Sequence, residues 1–157
     1  MKALLLLVGK TVDSRIQSLV DDYKERLKHY LPFEVCVIPE LKATKNISFD
    51  QQKEKEGELL MKFFQAGDTI VLLDENGKEF KSTEFALWMQ KKQNTVSKRL
   101  VFVIGGPYGF SPDVYGKAND KISLSRMTFS HQMVRLVFIE QLYRAMTILH
   151  GEPYHHE

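Results

Sequence analysis

The 157-residue chain has one cysteine, Cys36, which can form no internal disulfide. Its surroundings, Glu34-Val35-Cys36-Val37-Ile38, read as strand core, so a reducing cytoplasmic setting is expected. With no paired cysteines, and only His150, His155 and His156 clustered among the histidines, a metal would need ligands from elsewhere, and none is expected. No apolar run reaches the length of a membrane span. The run Ala3 to Val8 stops at Gly9-Lys10-Thr11 with no small-residue cleavage pattern, and reads as a buried strand rather than a leader or membrane helix. A strong charge of either sign is also missing. The net charge of +2 permits an RNA partner without arguing for one.

Several common sites are missing too. The first strand-to-helix turn holds a single glycine, Gly9, which excludes the dinucleotide fingerprint and the glycine-rich turn of Rossmann-type methyltransferases. Gly9-Lys10-Thr11 resembles the end of a P-loop but lacks the glycine five residues earlier. No Gly-x-Ser-x-Gly elbow occurs.

What is there alternates between strand and helix. Ala3 to Val8 is apolar throughout, as in a strand covered on both faces. Val12, Ile16, Leu19, Val20, Tyr23, Leu27 and Tyr30 follow at helical spacing. Phe33 to Ile38 reads as a second strand. Ser48 and Gln51 form a capping box ahead of a helix whose buried face is Leu59, Leu60, Phe63 and Phe64, ended by Gly67. Thr69 to Asp74 is a third strand, closed by the turn Glu75-Asn76-Gly77-Lys78. Phe85, Trp88 and Met89 mark a helix, Leu100 to Ile104 a fourth strand, Lys121 to Leu124 a fifth, and Ser130 to Leu149 the last helix. This order predicts one α/β domain over residues 1–157, with a mainly parallel five- to six-stranded sheet and helices on both faces. The lysine-bearing loop Glu40 to Ile47 (Lys42, Lys45) reads as a solvated surface loop ahead of an RNA contact.

The last helix carries two apolar stripes. Val134, Val137, Phe138, Leu142, Ala145 and Leu149 form one, and Leu136, Ile139, Tyr143 and Met146 the other. Such a helix is buried on more than one side, either inside its own core or against a second subunit.

Ligands of open parallel sheets bind beyond the carboxyl ends of strands. That singles out Leu73-Asp74 after strand three, Gly105-Gly106-Pro107-Tyr108-Gly109-Phe110 after strand four, and Leu124 to His131 after strand five. Three glycines in five residues suit a ligand lying on bare backbone, and equally a plain turn into a helix capped by Ser111 with Pro112 at its first position. The terminal His150-Gly151-Glu152-Pro153-Tyr154-His155-His156-Glu157 offers groups that stack on a base or move a proton, although composition alone reads it as a frayed end.

Ile104-Gly105-Gly106-Pro107-Tyr108-Gly109, Leu124-Ser125-x-Met127-Thr128, His131-x-x-Val134-Arg135, Glu140-Gln141-Leu142-Tyr143-Arg144-Ala145 and Pro153-Tyr154-His155 occur in that order along the chain. In this the sequence resembles the ribosomal large-subunit pseudouridine N3-methyltransferases of the SPOUT, or trefoil-knot, superfamily. The resemblance covers the whole chain and is densest from Val101 onward. It implies a C-terminal deep trefoil knot, a fold feature that periodicity cannot deliver. It also implies a homodimer packed through the last helix, and methyl transfer from S-adenosylmethionine to a pseudouridine N3 in ribosomal RNA of the large subunit, on the assembled ribosome. By the same resemblance Leu73, Gly105, Leu124, Ser125, Arg126, Met127, Thr128 and Phe129 line the cofactor pocket. One position departs: His156 stands where the family carries Arg or Lys, which weakens a grip on phosphate near neutral pH.

The reaction is an in-line displacement that needs no metal. Tyr154 and His155 are the expected catalytic pair, orienting the base and assisting its N3 proton. Arg135 and Arg144 are expected to steer RNA phosphates, with a solvated helix face or an interface ion pair as the alternative. His131 reads as a structural contact. The competing function is a non-catalytic RNA- or ribosome-binding module of the same fold.

Overall fold

A computed structural model describes residues 1–42 and 44–156, with Thr44 as backbone only. Ala43 of the lysine-bearing loop and Glu157 lie outside the described residues. The elements run β1 (Lys2–Val8), α1 (Ser14–Leu27), β2 (Phe33–Ile38), a single 3-10 turn (Thr44–Asn46), α2 (Phe49–Phe63), β3 (Thr69–Glu79), α3 (Ser82–Thr95), β4 (Arg99–Ile104), α4 (Pro112–Lys117), β5 (Asp120–Ser123) and α5 (His131–Leu149). The described strands form one sheet of five, in the order β2-β1-β4-β3-β5. Every pairing is parallel. All strands therefore end on the same side, which gathers the loops that follow them.

The apolar run of β1 is explained by its two faces. Ala3, Leu5 and Leu7 enter the core shared with α1, α3 and α5, whereas Leu4, Leu6 and Val8 enter the core shared with α2 and α4. On the outer strand β2, Cys36 is half-buried, and burial pushes its thiol pKa up, away from reactivity.

Local signals set most helix starts. Asp13 caps α1 by accepting from the backbone of Arg15 and Ile16, so the helix begins two residues after Val12, which stays exposed. Ser48 and Gln51 form the reciprocal capping box of α2, at 3.1 Å and 2.9 Å. Ser130 caps α5 through the backbone of Met133 at 3.1 Å.

The turn expected at residues 75–78 is instead an interruption within a longer β3. Leu73 and Lys78 both lie opposite Ile122 of β5, so residues 74–77 bulge out of the ladder before pairing resumes at Lys78. Gly77 permits this, since a β-carbon there would come within 2.6 Å of the Ile122 backbone.

The two stripes of α5 turn chiefly, but not wholly, into the chain's own core. Phe138, Leu142 and Ala145 from one, and Ile139 and Met146 from the other, are fully buried in the core that α5 shares with α1 and α3. Leu136, Val137, Tyr143 and Leu149 remain half-buried. Among the described residues no helix is long and apolar enough to cross a membrane.

Candidate cofactor pocket and C-terminal cluster

The carboxyl ends of β3, β4 and β5 open into a cleft of about 420 Å³. Its walls come from the three loops that strand order singles out: Leu73 to Asn76, Ile104 to Phe110, and Ile122 to Ser125 with Met127 to Phe129, while His131 and Val134 of α5 close one side. A cavity of this size at strand ends suits a small organic ligand.

The three glycines of the β4 loop serve three different ends. Gly109 takes a left-handed conformation, φ +83°. A β-carbon on Gly105 would meet the Phe110 ring at 2.8 Å. On Gly106 it would collide with the carboxylate of Glu56. Glu56 lies on α2, is 6% exposed, and accepts from the Gly106 backbone N–H and from Gln52 Nε2 at 3.3 Å. Burial raises its pKa. Phe110 and Glu56 thus press on the loop and leave peptide groups as its wall. Nothing in the local sequence marks Glu56, which lies on the packed face of an ordinary amphipathic helix.

Leu73, Gly105, Leu124, Ser125, Met127, Thr128 and Phe129 all line the cleft. Arg126 does not. Its side chain is 88% exposed and points to Glu79 at 3.7 Å, because the turn around Ser125 directs it outward. That turn is held by Ser123 Oγ donating to the Ser125 carbonyl at 2.9 Å and by the Met127 N–H donating to Ser125 Oγ at 2.9 Å. Sequence reading passed over Tyr115 of α4, which lines the cleft and donates to the Asp74 carboxylate. Burial and that carboxylate push the Tyr115 pKa up to about 12.

Arg135 is not a surface residue. It is 3% exposed, and its guanidinium donates to the Val8 carbonyl at 2.9 Å and to Thr11 Oγ1 at 3.0 Å. Burial lowers its pKa, opposed by the charge of Glu40. With Gln132, which accepts from the Val12 N–H at 2.7 Å, it ties the start of α5 to the loop after β1. This corrects its expected role in steering phosphates, since the charge is spent on the chain's own backbone. Arg144 is paired within its own helix: it meets Glu140 at 2.6 Å and lies over the Tyr154 ring at 4.7 Å.

The C-terminal segment is docked rather than frayed. Gly151 turns the chain at φ +67°, and the Glu152 N–H returns to the Thr147 carbonyl at 3.0 Å. Glu152 accepts from Tyr30 at 2.6 Å. Tyr154 donates to Glu140 at 3.2 Å, bonds Tyr23 at 3.1 Å and sits edge-on to Tyr143 at 4.9 Å. Arg144 Nη1 lies 3.2 Å from His155 Nδ1. Neither Tyr154 nor His155 lines the cleft of its own chain. They sit against residues 140 to 144 of α5, roughly 9–15 Å along the helix from Val134 at about 1.5 Å per residue.

Comparison with known proteins settles the kind of protein that carries this cleft. Residues 1–155 match the family described as "Predicted SPOUT methyltransferase". The chain belongs to the SPOUT methyltransferases. Three relatives are each named "Ribosomal RNA large subunit methyltransferase H". Those from Phocaeicola vulgatus and Bacteroides thetaiotaomicron are 63% and 64% identical over the whole of both chains. The one from Flavobacterium johnsoniae is 58% identical over 98% of each. Among solved structures, the SpoU methyltransferase AviRb from Streptomyces viridochromogenes, in complex with AdoMet, aligns with a TM-score of 0.47 at 12% identity, over 95% of this SPOUT chain and 58% of its own.

Proposed function

We propose that this SPOUT methyltransferase transfers a methyl group from S-adenosylmethionine to N3 of a pseudouridine in large-subunit ribosomal RNA, on the assembled ribosome. The observation that carries the cofactor reading is the peptide wall at Gly105 and Gly106, kept free of side chains by Phe110 and Glu56. The relatives' shared name and the order of the motifs support the RNA.

Leu73, Gly105 and the run Leu124 to Phe129, without Arg126, would hold the cofactor between apolar side chains and main-chain groups. S-adenosylmethionine supplies there a methyl group activated by its sulfonium. The protein's task is then alignment and help with a weakly acidic imide proton. Burial and the bond to Tyr23 raise the Tyr154 pKa, so it stays a phenol and does not take that proton. It positions Arg144 and His155 instead. Arg144 only donates, so His155 Nδ1 accepts and the hydrogen sits on Nε2. The N3–H of a pseudouridine lies between two carbonyl oxygens. Donors from Arg144 and His155 set against those oxygens stabilise the imide anion as its proton leaves to water.

The distance of this cluster from its own cleft fits a homodimer in which each tail serves the other subunit's pocket. Val12, Met127, Phe129 and Met133 expose apolar side chains around the first turn of α5, which supports contact through that end. The same crossing supports the trefoil knot: after β5 at the sheet edge, the chain passes the mouths of β3 and β4 to bond the loop after β1.

Calorimetry with S-adenosylmethionine, joined to mass mapping of RNA from assembled ribosomes incubated with the protein, tests the function. Binding together with one new methyl group on a pseudouridine is expected. No cofactor binding by the folded protein would overturn it in favour of a module that only binds RNA.

A further inference from the structure

Phe49 and Tyr108 lie outside the core. Phe49 is the first residue of α2 and is 64% exposed, while Tyr108 of the β4 loop is 38% exposed. Their rings stack at 4.0 Å between centroids with an interplanar angle of 19°. The residues that bury α2 are Glu56, Gly57 and Leu60, so Phe49 adds nothing to its packing. Most of the gain from burying its ring is left unrealised at this position. Tyr108 also lines the cleft, so the exposed pair is continuous with the mouth of the pocket.

We propose that the Phe49–Tyr108 stack is a platform for a nucleobase of single-stranded RNA next to the base that receives the methyl group. The proposal rests on the RNA methyltransferase reading above. Single-stranded RNA is bound chiefly by splayed bases on aromatic faces, and every base has such a face. The charge around the platform suits a phosphate backbone. Lys42 and Lys45 are exposed in the segment leading to Phe49, and Asp50 beside it is paired with Lys53 at 3.4 Å. A protein partner would find little here to bury beyond the two rings.

The experiment compares wild-type protein, Phe49→Ala and Phe49→Trp in steady-state methyl transfer to assembled ribosomes from cells lacking the protein, with cofactor affinity measured by calorimetry. Stacking worth about 1–3 kcal/mol per base corresponds to a rise in KM for the ribosome of about tenfold in Phe49→Ala. kcat and cofactor affinity should hold, and Phe49→Trp should restore KM. An unchanged KM in an active Phe49→Ala protein overturns the platform, and so does a loss of cofactor affinity with KM unchanged, which would make the pair a cover for the cofactor. Failure of the wild-type protein to methylate RNA is a distinct result that removes the function and the platform together.

Discussion

The carboxylate of Glu56 fills the space that a side chain on Gly106 would need, and the Gly106 N–H donates to it. An α2 residue thereby shapes a wall of the cleft from behind. Gly106→Ala forces either the loop into the cleft or Glu56 out of its seat. Its affinity for S-adenosylmethionine should fall about tenfold, the cost of overpacking by one methyl group. Glu56→Ala leaves the Gly106 N–H without its acceptor and should cost about 1–3 kcal/mol of stability. The double variant should bind cofactor better than Gly106→Ala alone, because the collision is gone. Calorimetry on the four proteins measures the coupling, and strictly additive losses would mean that the two positions do not meet.

Burial of Glu56 also gives stability a pH dependence of defined sign. Its folded-state pKa is raised, so between the ordinary glutamate value near about 4.3 and the raised value the folded protein binds more proton than the unfolded one. Its contribution is fully present below the lower value and is lost as pH rises through the upper one. Urea unfolding across that window should show wild type losing stability relative to Glu56→Gln as pH rises. Parallel curves for the two proteins would show an ordinary exposed carboxyl.

Features written in adjacent residues were legible in the sequence. The apolar run of β1, the Ser48–Gln51 box, the Ser130 cap and the strand-end loops all depend on neighbours or on period, and the cleft formed where those loops meet. What was not legible depends on distant partners. Arg135 reads as a charge on a helix face until Val8 and Thr11 are brought beside it. Arg126 lies within the cleft-lining run in sequence but is turned out by the Ser125 bonds. The tail looks frayed by composition, yet Tyr23, Tyr30 and Glu140 hold it. No period encodes a phenol meeting another phenol across most of the chain.

The seat of Arg135 separates a structural from an RNA-binding role. Arg135→Ala removes two charge-assisted hydrogen bonds and leaves the Val8 carbonyl without its donor. Stability should fall by about 2 kcal/mol or more. The salt dependence of RNA binding should not change, whereas Lys45→Ala should reduce its slope by about 1 if that lysine meets a phosphate. Denaturation midpoints and RNA titrations at several salt concentrations provide both numbers. Normal stability with a reduced salt slope would return Arg135 to the RNA surface.

The tail tests the dimer and the chemistry together. Light scattering should give about twice the chain mass, as two-fold assembly through the first turn of α5 requires. Ending the chain at Gly151 removes the bonds of Glu152 to Tyr30 and of Tyr154 to Tyr23 and Glu140 but leaves the cleft intact. Cofactor affinity should therefore stay near wild type while methyl transfer collapses. His155→Ala should lower kcat rather than cofactor affinity, as expected of a group acting in the transition state. Mixing decides which pocket the tail serves. The truncated chain has a sound cleft and no tail, and full-length Gly105→Val has a tail and a cleft blocked at Phe110. If each tail reaches across the dimer, the mixed dimer regains one working site and activity returns on exchange of subunits. If the tail works on its own chain, neither protomer holds both parts and the mixture stays inactive. A truncated protein that methylates at the full-length rate would remove Tyr154 and His155 from the chemistry.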